Sequence, residues 1–126
     1  MGALAKKLQV REGQRVLVLG APQGYAATLA ADAPASVQVA HRSTGTYDVV
    51  QLFVTTRAAF HERLAAARKA LKPDGVLWVC WPKQSAHAPT DLTRDVIRGE
   101  AEAEGMRPVA GVAVDETWSA LRLKPL

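Results

Sequence analysis

The stretch Gln14-Arg15-Val16-Leu17-Val18-Leu19-Gly20-Ala21-Pro22-Gln23-Gly24-Tyr25 constrains this chain more than any other. Val16 to Leu19 is a continuous apolar run, the pattern of a strand covered on both faces. A glycine-bearing turn follows at once, and the residues after it read as a helix. Such a strand opens α/β domains in which the turn meets a ligand and the helix N-terminus supplies N–H donors. The turn is sparse, however. Gly-x-x-x-Gly replaces the denser Gly-x-Gly-x-x-Gly, and Pro22 removes one backbone donor and fixes φ.

The remaining punctuation extends this pattern. Leu4, Ala5 and Leu8 share a face of a short leading helix. A helix is expected from about Gln23 to Ala31, with Pro22 in its first turn. Ser36 to Ala40 reads as a second strand and Tyr47 to Val54 as a third. Phe60, Leu64, Ala67 and Leu71 fall on one helical face. Lys72-Pro73-Asp74-Gly75 carries turn chemistry before a fourth strand, Val76 to Trp81. Thr90 or Asp91 is the expected N-cap of a helix reaching Glu104, with Gly105 just past its end. Val109 to Val114 and Thr117 to Leu123 should form an antiparallel hairpin. A chain of 126 residues with this alternation is expected to be one domain, 1–126, with a mostly parallel sheet between helices.

One connection lacks its helix. A parallel crossover to an adjacent strand needs a dozen or more residues. Ala40 to Tyr47 offers about eight, which reach at most ~27 Å when extended. The second and third strands are therefore placed on either side of the first. The expected architecture is a Rossmann-like three-layer sandwich with a six-stranded sheet in the order 2-1-3-4-6-5, strand six antiparallel. An antiparallel second strand would refute it.

Composition excludes several classes. Hydrophobic residues make up 48% and charged residues 22%, an ordinary globular balance. Neither Val16 to Leu19 nor Val76 to Trp81 can span a bilayer. No apolar run follows Lys6 and Lys7, so no signal peptide is expected. The single cysteine, Cys80, excludes an internal disulfide and points to the cytoplasm. Net charge is +4 and the pI about 9.6, which admits a polyanion. The basic residues are scattered among acids along the helices, so solvated helix faces are expected and nucleic acid is not.

Three segments resemble a class I S-adenosylmethionine-dependent methyltransferase domain. Arg15-Val16-Leu17-Val18-Leu19-Gly20 resembles its first strand and turn. Tyr47-Asp48-Val49-Val50 resembles the "(F/Y)D(L/V)V" opening of a later strand. The run Ala70 to Val79 (ALKPDGVLWV) resembles the "LKPGGxLxV" joint. The chain is also similar to a small bacterial family catalogued as domain of unknown function 3052. That likeness rests on Ala5-Lys6-Lys7-Leu8, Gly20 to Tyr25, Trp81-Pro82-Lys83, Asp91-Leu92-Thr93 and Asp115 to Ser119. The first resemblance implies a fold and S-adenosylmethionine as the cofactor it admits; the second implies no activity.

The chain also departs from a working methyltransferase. The resemblance places an acid at the end of the second strand, to accept both ribose hydroxyls. His41 and Arg42 stand there. Arginine suits a phosphate better than a diol. On this ground no cofactor is expected, and the chain reads as a degenerate binding or interaction module; a minimal S-adenosylmethionine-dependent methyltransferase is the alternative. Ligands of such sheets lie beyond the carboxyl ends of the strands. The candidate crevice therefore comprises Gly20, Ala21, Pro22, Gly24, Tyr25, Arg42, Lys83 and Asp91, holding a small anion or nucleotide-like ligand. The competing account is that Pro22 and Gly24 shape a turn and the polar groups are merely hydrated.

Lys83 is expected to pair with Asp91 or to ligate an anion. A Ser85–Lys83 nucleophile pair is discounted, because loop neighbours carry no specificity. Cys80, inside an apolar strand, is expected to be inert packing. His41, His61 and His87 lack metal-ligand spacing, and His61 is expected to face solvent. Trp81 and Trp118 could lie on one face, as core or as a strip for a protein partner or homodimer.

Overall fold

A computed structural model describes residues 2–126. The continuous apolar runs form the middle of its sheet. Val16, Leu17 and Val18 of β1 (Arg15–Leu19) are buried, as is all of β3 (Tyr47–Phe53) except half-buried Asp48. The other strands are β2 (Gln38–Ala40), β4 (Leu71–Pro82), β5 (Met106–Ala113) and β6 (Trp118–Pro125). The sheet order is β2-β1-β3-β4-β6-β5. β1 lies parallel to both β2 and β3, in the registers Val16↔Val39 and Val16↔Val49. β3 and β4 are also parallel, and β6 runs antiparallel between β4 and β5. This is the order the missing crossover implies.

The short connection works because β2 is only three residues long. The loop after it turns back toward the start of β3 and is held there by its neighbours. The Arg15 guanidinium donates to Thr46 O at 2.8 Å and Thr44 O at 3.0 Å, and the Tyr47 hydroxyl donates to Arg42 O at 3.0 Å. Asp48 joins the strand starts: it accepts from Arg15 N at 2.8 Å and from Lys72 Nζ at 3.1 Å. The acid of the Tyr-Asp-Val-Val segment is thus a structural tie.

Helices cover both faces. α1 (Ala3–Lys7) and α2 (Tyr25–Asp32) pack Ala5, Leu8, Tyr25 and Leu29 against Val16, Val18, Val49, Phe53, Trp78 and Cys80. α3 (Arg57–Ala70) and α4 (Arg94–Ala103) pack Phe60, Leu64, Ala67, Ile97 and Ala101 against Leu17, Leu52, Leu77, Val79 and Trp81. Alternate residues of each central strand feed opposite layers, as the period of two requires. The Trp78 indole donates to Leu8 O at 3.0 Å and so fastens the end of α1 to the sheet.

Several boundaries differ from expectation. α2 begins at Tyr25, so Pro22 sits before the helix; its carbonyl accepts from Tyr25 N at 3.1 Å and closes a tight turn. α4 is capped by Thr93, whose hydroxyl accepts from Val96 N at 3.2 Å, because Thr90 and Asp91 are engaged elsewhere. The segment after α3 joins the sheet directly: Leu71 pairs with Tyr47, and an irregularity precedes the Val49↔Val76 pair. Trp81 and Trp118 fall on opposite faces, because Trp81 pairs with Ser119 and Trp118 with Pro82. Among the described residues no helix is long and apolar enough to cross a membrane.

Candidate functional site

The carboxyl edge of the parallel strands collects Gly20, His41, Val54 and Lys83, with the β5–β6 hairpin tip beside them. Three clefts open along it. The first, about 620 Å³, lies between the β1–α2 turn and the end of β2 and is lined by Val18, residues 20–24, Ala26, Ala27 and His41. The second, about 500 Å³, lies on the other side of the same turn, against Tyr25, Asp115, Thr117 and Trp118. The third, about 520 Å³, is built from Trp81, Lys83, Gln84, Ser85, Thr93, Arg94, Asp95 and Ser119.

The two glycines of the turn serve different ends. Gly20 has φ +70°, and a Cβ there would lie 2.8 Å from the Phe53 carbonyl oxygen. Its lack of a side chain lets the turn cross the end of β3. Gly24 has φ +86°, yet a Cβ there would meet nothing within 4 Å. Its left-handed backbone shapes the N-terminus of α2, and the space beside it is open to a ligand.

Gly20, Ala21, Pro22 and Gly24 therefore come together in the first cleft. Tyr25 belongs mostly to the core. It is only 7% exposed, its ring meets Phe53 edge-on at 4.8 Å, and its hydroxyl donates to Gln51 Oε1 at 2.9 Å. Arg42 is exposed and lines none of the three clefts; its carbonyl is drawn toward Tyr47 at the opposite end of β3. Lys83 lies in the third cleft. Asp91 lines none of them. Its Oδ1 accepts from Arg57 N at 2.9 Å, capping α3 from outside, while Thr90 donates to Thr55 O at 2.7 Å. The expected Lys83–Asp91 pair is not among the ion pairs of the described residues. The crevice read as one site is thus divided.

Cys80 is fully buried, and burial pushes its thiol well above the ordinary value, so it carries no thiolate. Gln51 Nε2 donates to its sulfur at 3.7 Å. Burial likewise pushes the Tyr25 phenol up. No group of three or more His, Cys, Asp or Glu among the described residues is arranged to hold a metal.

Two polar features escaped the sequence reading. Gln51, wholly buried in β3, bridges Tyr25 and Cys80 beneath the sheet's α1/α2 layer. A cluster also ties α3 to α4: His61 Nδ1 meets Glu104 Oε1 at 2.7 Å, His61 Nε2 meets Glu100 Oε2, and Arg57 Nε donates to Glu100 Oε1 at 2.9 Å. His61 was expected to face solvent; it is half-exposed but paired. The signal lay in two matching i, i+4 spacings, Arg57/His61 and Glu100/Glu104.

No family model and no curated protein matches the chain. Solved structures do. A SAM-dependent methyltransferase from Thiobacillus denitrificans, in complex with S-adenosyl-L-homocysteine, superposes with a TM-score of 0.66 at 14% identity, over 98% of this chain and 89% of that one. A SAM dependent methyltransferase from Aquifex aeolicus gives 0.64 at 16% identity, over 95% and 86%. A putative methyltransferase from Pseudomonas syringae gives 0.59 at 18%, over 95% and 93%. The chain has the class I methyltransferase fold. Identities this low establish the architecture alone. Within this fold the first cleft lies at the end of β1, where open α/β sheets receive their ligands.

Proposed function

We propose that the chain is a binding module on a methyltransferase scaffold, receiving a small anionic, nucleotide-like ligand in the first cleft without methyl transfer. One observation carries this reading: no carboxylate lines that cleft, and His41 occupies the end of β2. A ribose diol needs a paired acceptor, and a buried sugar hydroxyl left without one is disfavoured by about 1–3 kcal/mol. A phosphate needs donors instead. The first-turn N–H groups of α2, beside Ala26 and Ala27, lack partners inside the helix and point out of its N-terminus. Gly24 leaves room for approach.

Methyl transfer is the second reading. It is favoured by the near-complete overlap with a protein solved with S-adenosyl-L-homocysteine. The likeness to domain of unknown function 3052 in five short segments fits either reading. Calorimetry separates them, with 2′-deoxyadenosine diphosphate, which has no ribose diol, S-adenosylmethionine and S-adenosylhomocysteine as titrants. Binding of the diphosphate, with both sulfonium-series ligands silent at millimolar concentration, supports the binding module. Micromolar binding of S-adenosylmethionine overturns it in favour of the enzyme.

A further inference from the structure

Lys83 and Arg94 line the same cleft of about 520 Å³, and it shares no lining residue with the β1–α2 cleft. Among the described residues neither cation is in an ion pair. The main chain of Lys83 and the side chain of Arg94 each have a defined neighbour. The Lys83 N–H donates to Thr117 O at 2.8 Å, which ties the exit of β4 to the hairpin tip. The Arg94 guanidinium lies against Gly111 of β5. A Cβ on that glycine would sit 2.7 Å from Nη1 and 3.0 Å from Nη2, so the contact exists only because residue 111 has no side chain.

The rest of the lining is hydrogen-bonding and aromatic. Trp81 and Ser119 are partners across β4 and β6; Ser85 and Thr93 add hydroxyls, and Asp95 is the only acid. Two cations and one carboxylate line this cleft, which leaves one positive charge uncompensated and favours an anion.

We propose that this cleft is a second ligand site, taking a small phosphomonoester with its phosphate between Lys83 and Arg94. The guanidinium offers a planar fork of N–H donors to two phosphate oxygens, and the lysine adds a point charge. The Ser85 and Ser119 hydroxyls donate to the remaining oxygens. Asp95 accepts from a hydroxyl or ammonium group on the organic part of the ligand and repels a second anionic group. The site therefore selects a phosphomonoester that carries a hydrogen-bond donor over a bare or multiply charged anion.

Glycerol 3-phosphate and inorganic phosphate are the probes. Each is titrated into the full chain by calorimetry and followed by tryptophan emission, since Trp81 alone of the three indoles lines the cleft. Glycerol 3-phosphate should bind saturably and more tightly than phosphate, and Asp95→Asn should narrow that gap. Lys83→Gln and Arg94→Gln should each weaken binding by at least about tenfold, the loss of one charge-assisted contact. Gly111→Ala retains every charge and should weaken binding less than either charge removal, because the flexible guanidinium gives way to the new methyl. Circular dichroism checks that each variant is folded. No binding at tens of millimolar, or equal affinity in wild type and the Lys83→Gln and Arg94→Gln variants, overturns the proposal. Either result leaves the β1–α2 cleft untouched, because 2′-deoxyadenosine diphosphate binding is measured separately.

Discussion

Replacing Gly20 and Gly24 singly by alanine separates backbone conformation from close packing, because both residues have positive φ but only one is crowded. At Gly24 two effects compete. A left-handed L-residue costs about 1–2 kcal/mol, while stiffening the unfolded chain returns about 0.4–1 kcal/mol. The net loss at Gly24 is then about 0–1.6 kcal/mol. Gly20→Ala suffers the same balance and adds a Cβ at 2.8 Å from the Phe53 carbonyl oxygen. That oxygen belongs to the backbone of a central strand and cannot rotate away. Overpacking of this kind costs about 1–3 kcal/mol, so Gly20→Ala should lose about 1–5 kcal/mol in all. Urea unfolding measures both, with the slope unchanged if the native state is intact. With about 2.1 cal/mol/K of unfolding entropy per residue over 126 residues, a 3 kcal/mol loss lowers Tm by about 11 °C. Equal losses for the two variants would refute the assignment of Gly20 to packing and Gly24 to turn shape alone.

The α3–α4 cluster should make stability depend on pH. Hydrogen bonds to Glu100 and then Glu104 raise the His61 pKa above 6.5, so its contribution is complete below 6.5 and vanishes as pH rises through the raised value. Bonds from Arg57 and then His61 lower the Glu100 pKa below 4.5, so that contribution is complete above 4.5 and vanishes as pH falls through the lowered value. The urea midpoint gap between wild type and His61→Gln should be widest between those two ordinary values and close on the alkaline side; a gap constant with pH would remove the cluster as its cause. Gln51→Leu leaves the Tyr25 hydroxyl buried without its acceptor and should lose about 1–3 kcal/mol, part of it recovered in the Gln51→Leu/Tyr25→Phe double variant. Additive losses in that double-mutant cycle would show that the two side chains are not coupled.

The layout was legible because it rests on few, strong signals. β1 and β3 are nearly unbroken apolar runs, so their central, parallel placement follows from burial on both faces. The strand order followed from one shortage, the eight residues between Ala40 and Tyr47, and needed no homologue. What failed were boundaries where two local signals compete. Thr90, Asp91 and Thr93 are all good N-caps in isolation. Which of them caps α4 depends on where Thr55 O and Arg57 N fall in space, and they claim the first two. Lys72-Pro73-Asp74-Gly75 has turn residues, yet its neighbour Tyr47 draws Leu71 into the sheet as an irregular extension of β4.

The candidate site was less legible for a different reason. Sequence places residues at an edge of the sheet, but an edge is a line and a site is a volume. Gly20, Ala21, Pro22 and Gly24 converge because they are contiguous in one turn. Arg42, Lys83 and Asp91 reach the edge from three separate connections, and the direction each takes is set by long-range contacts. Tyr47 pulls the Arg42 carbonyl back, Thr117 fixes Lys83 beside the hairpin, and α3 claims the Asp91 carboxylate. Each is a hydrogen bond that no local pattern encodes. Dividing the edge this way leaves the first cleft without a carboxylate and puts Lys83 and Arg94 in another. Methyl transfer would need that first cleft to grip an adenosine sugar through Gln23 and His41 without a carboxylate, whereas the proposed anion binding would draw on the N–H donors at the start of α2.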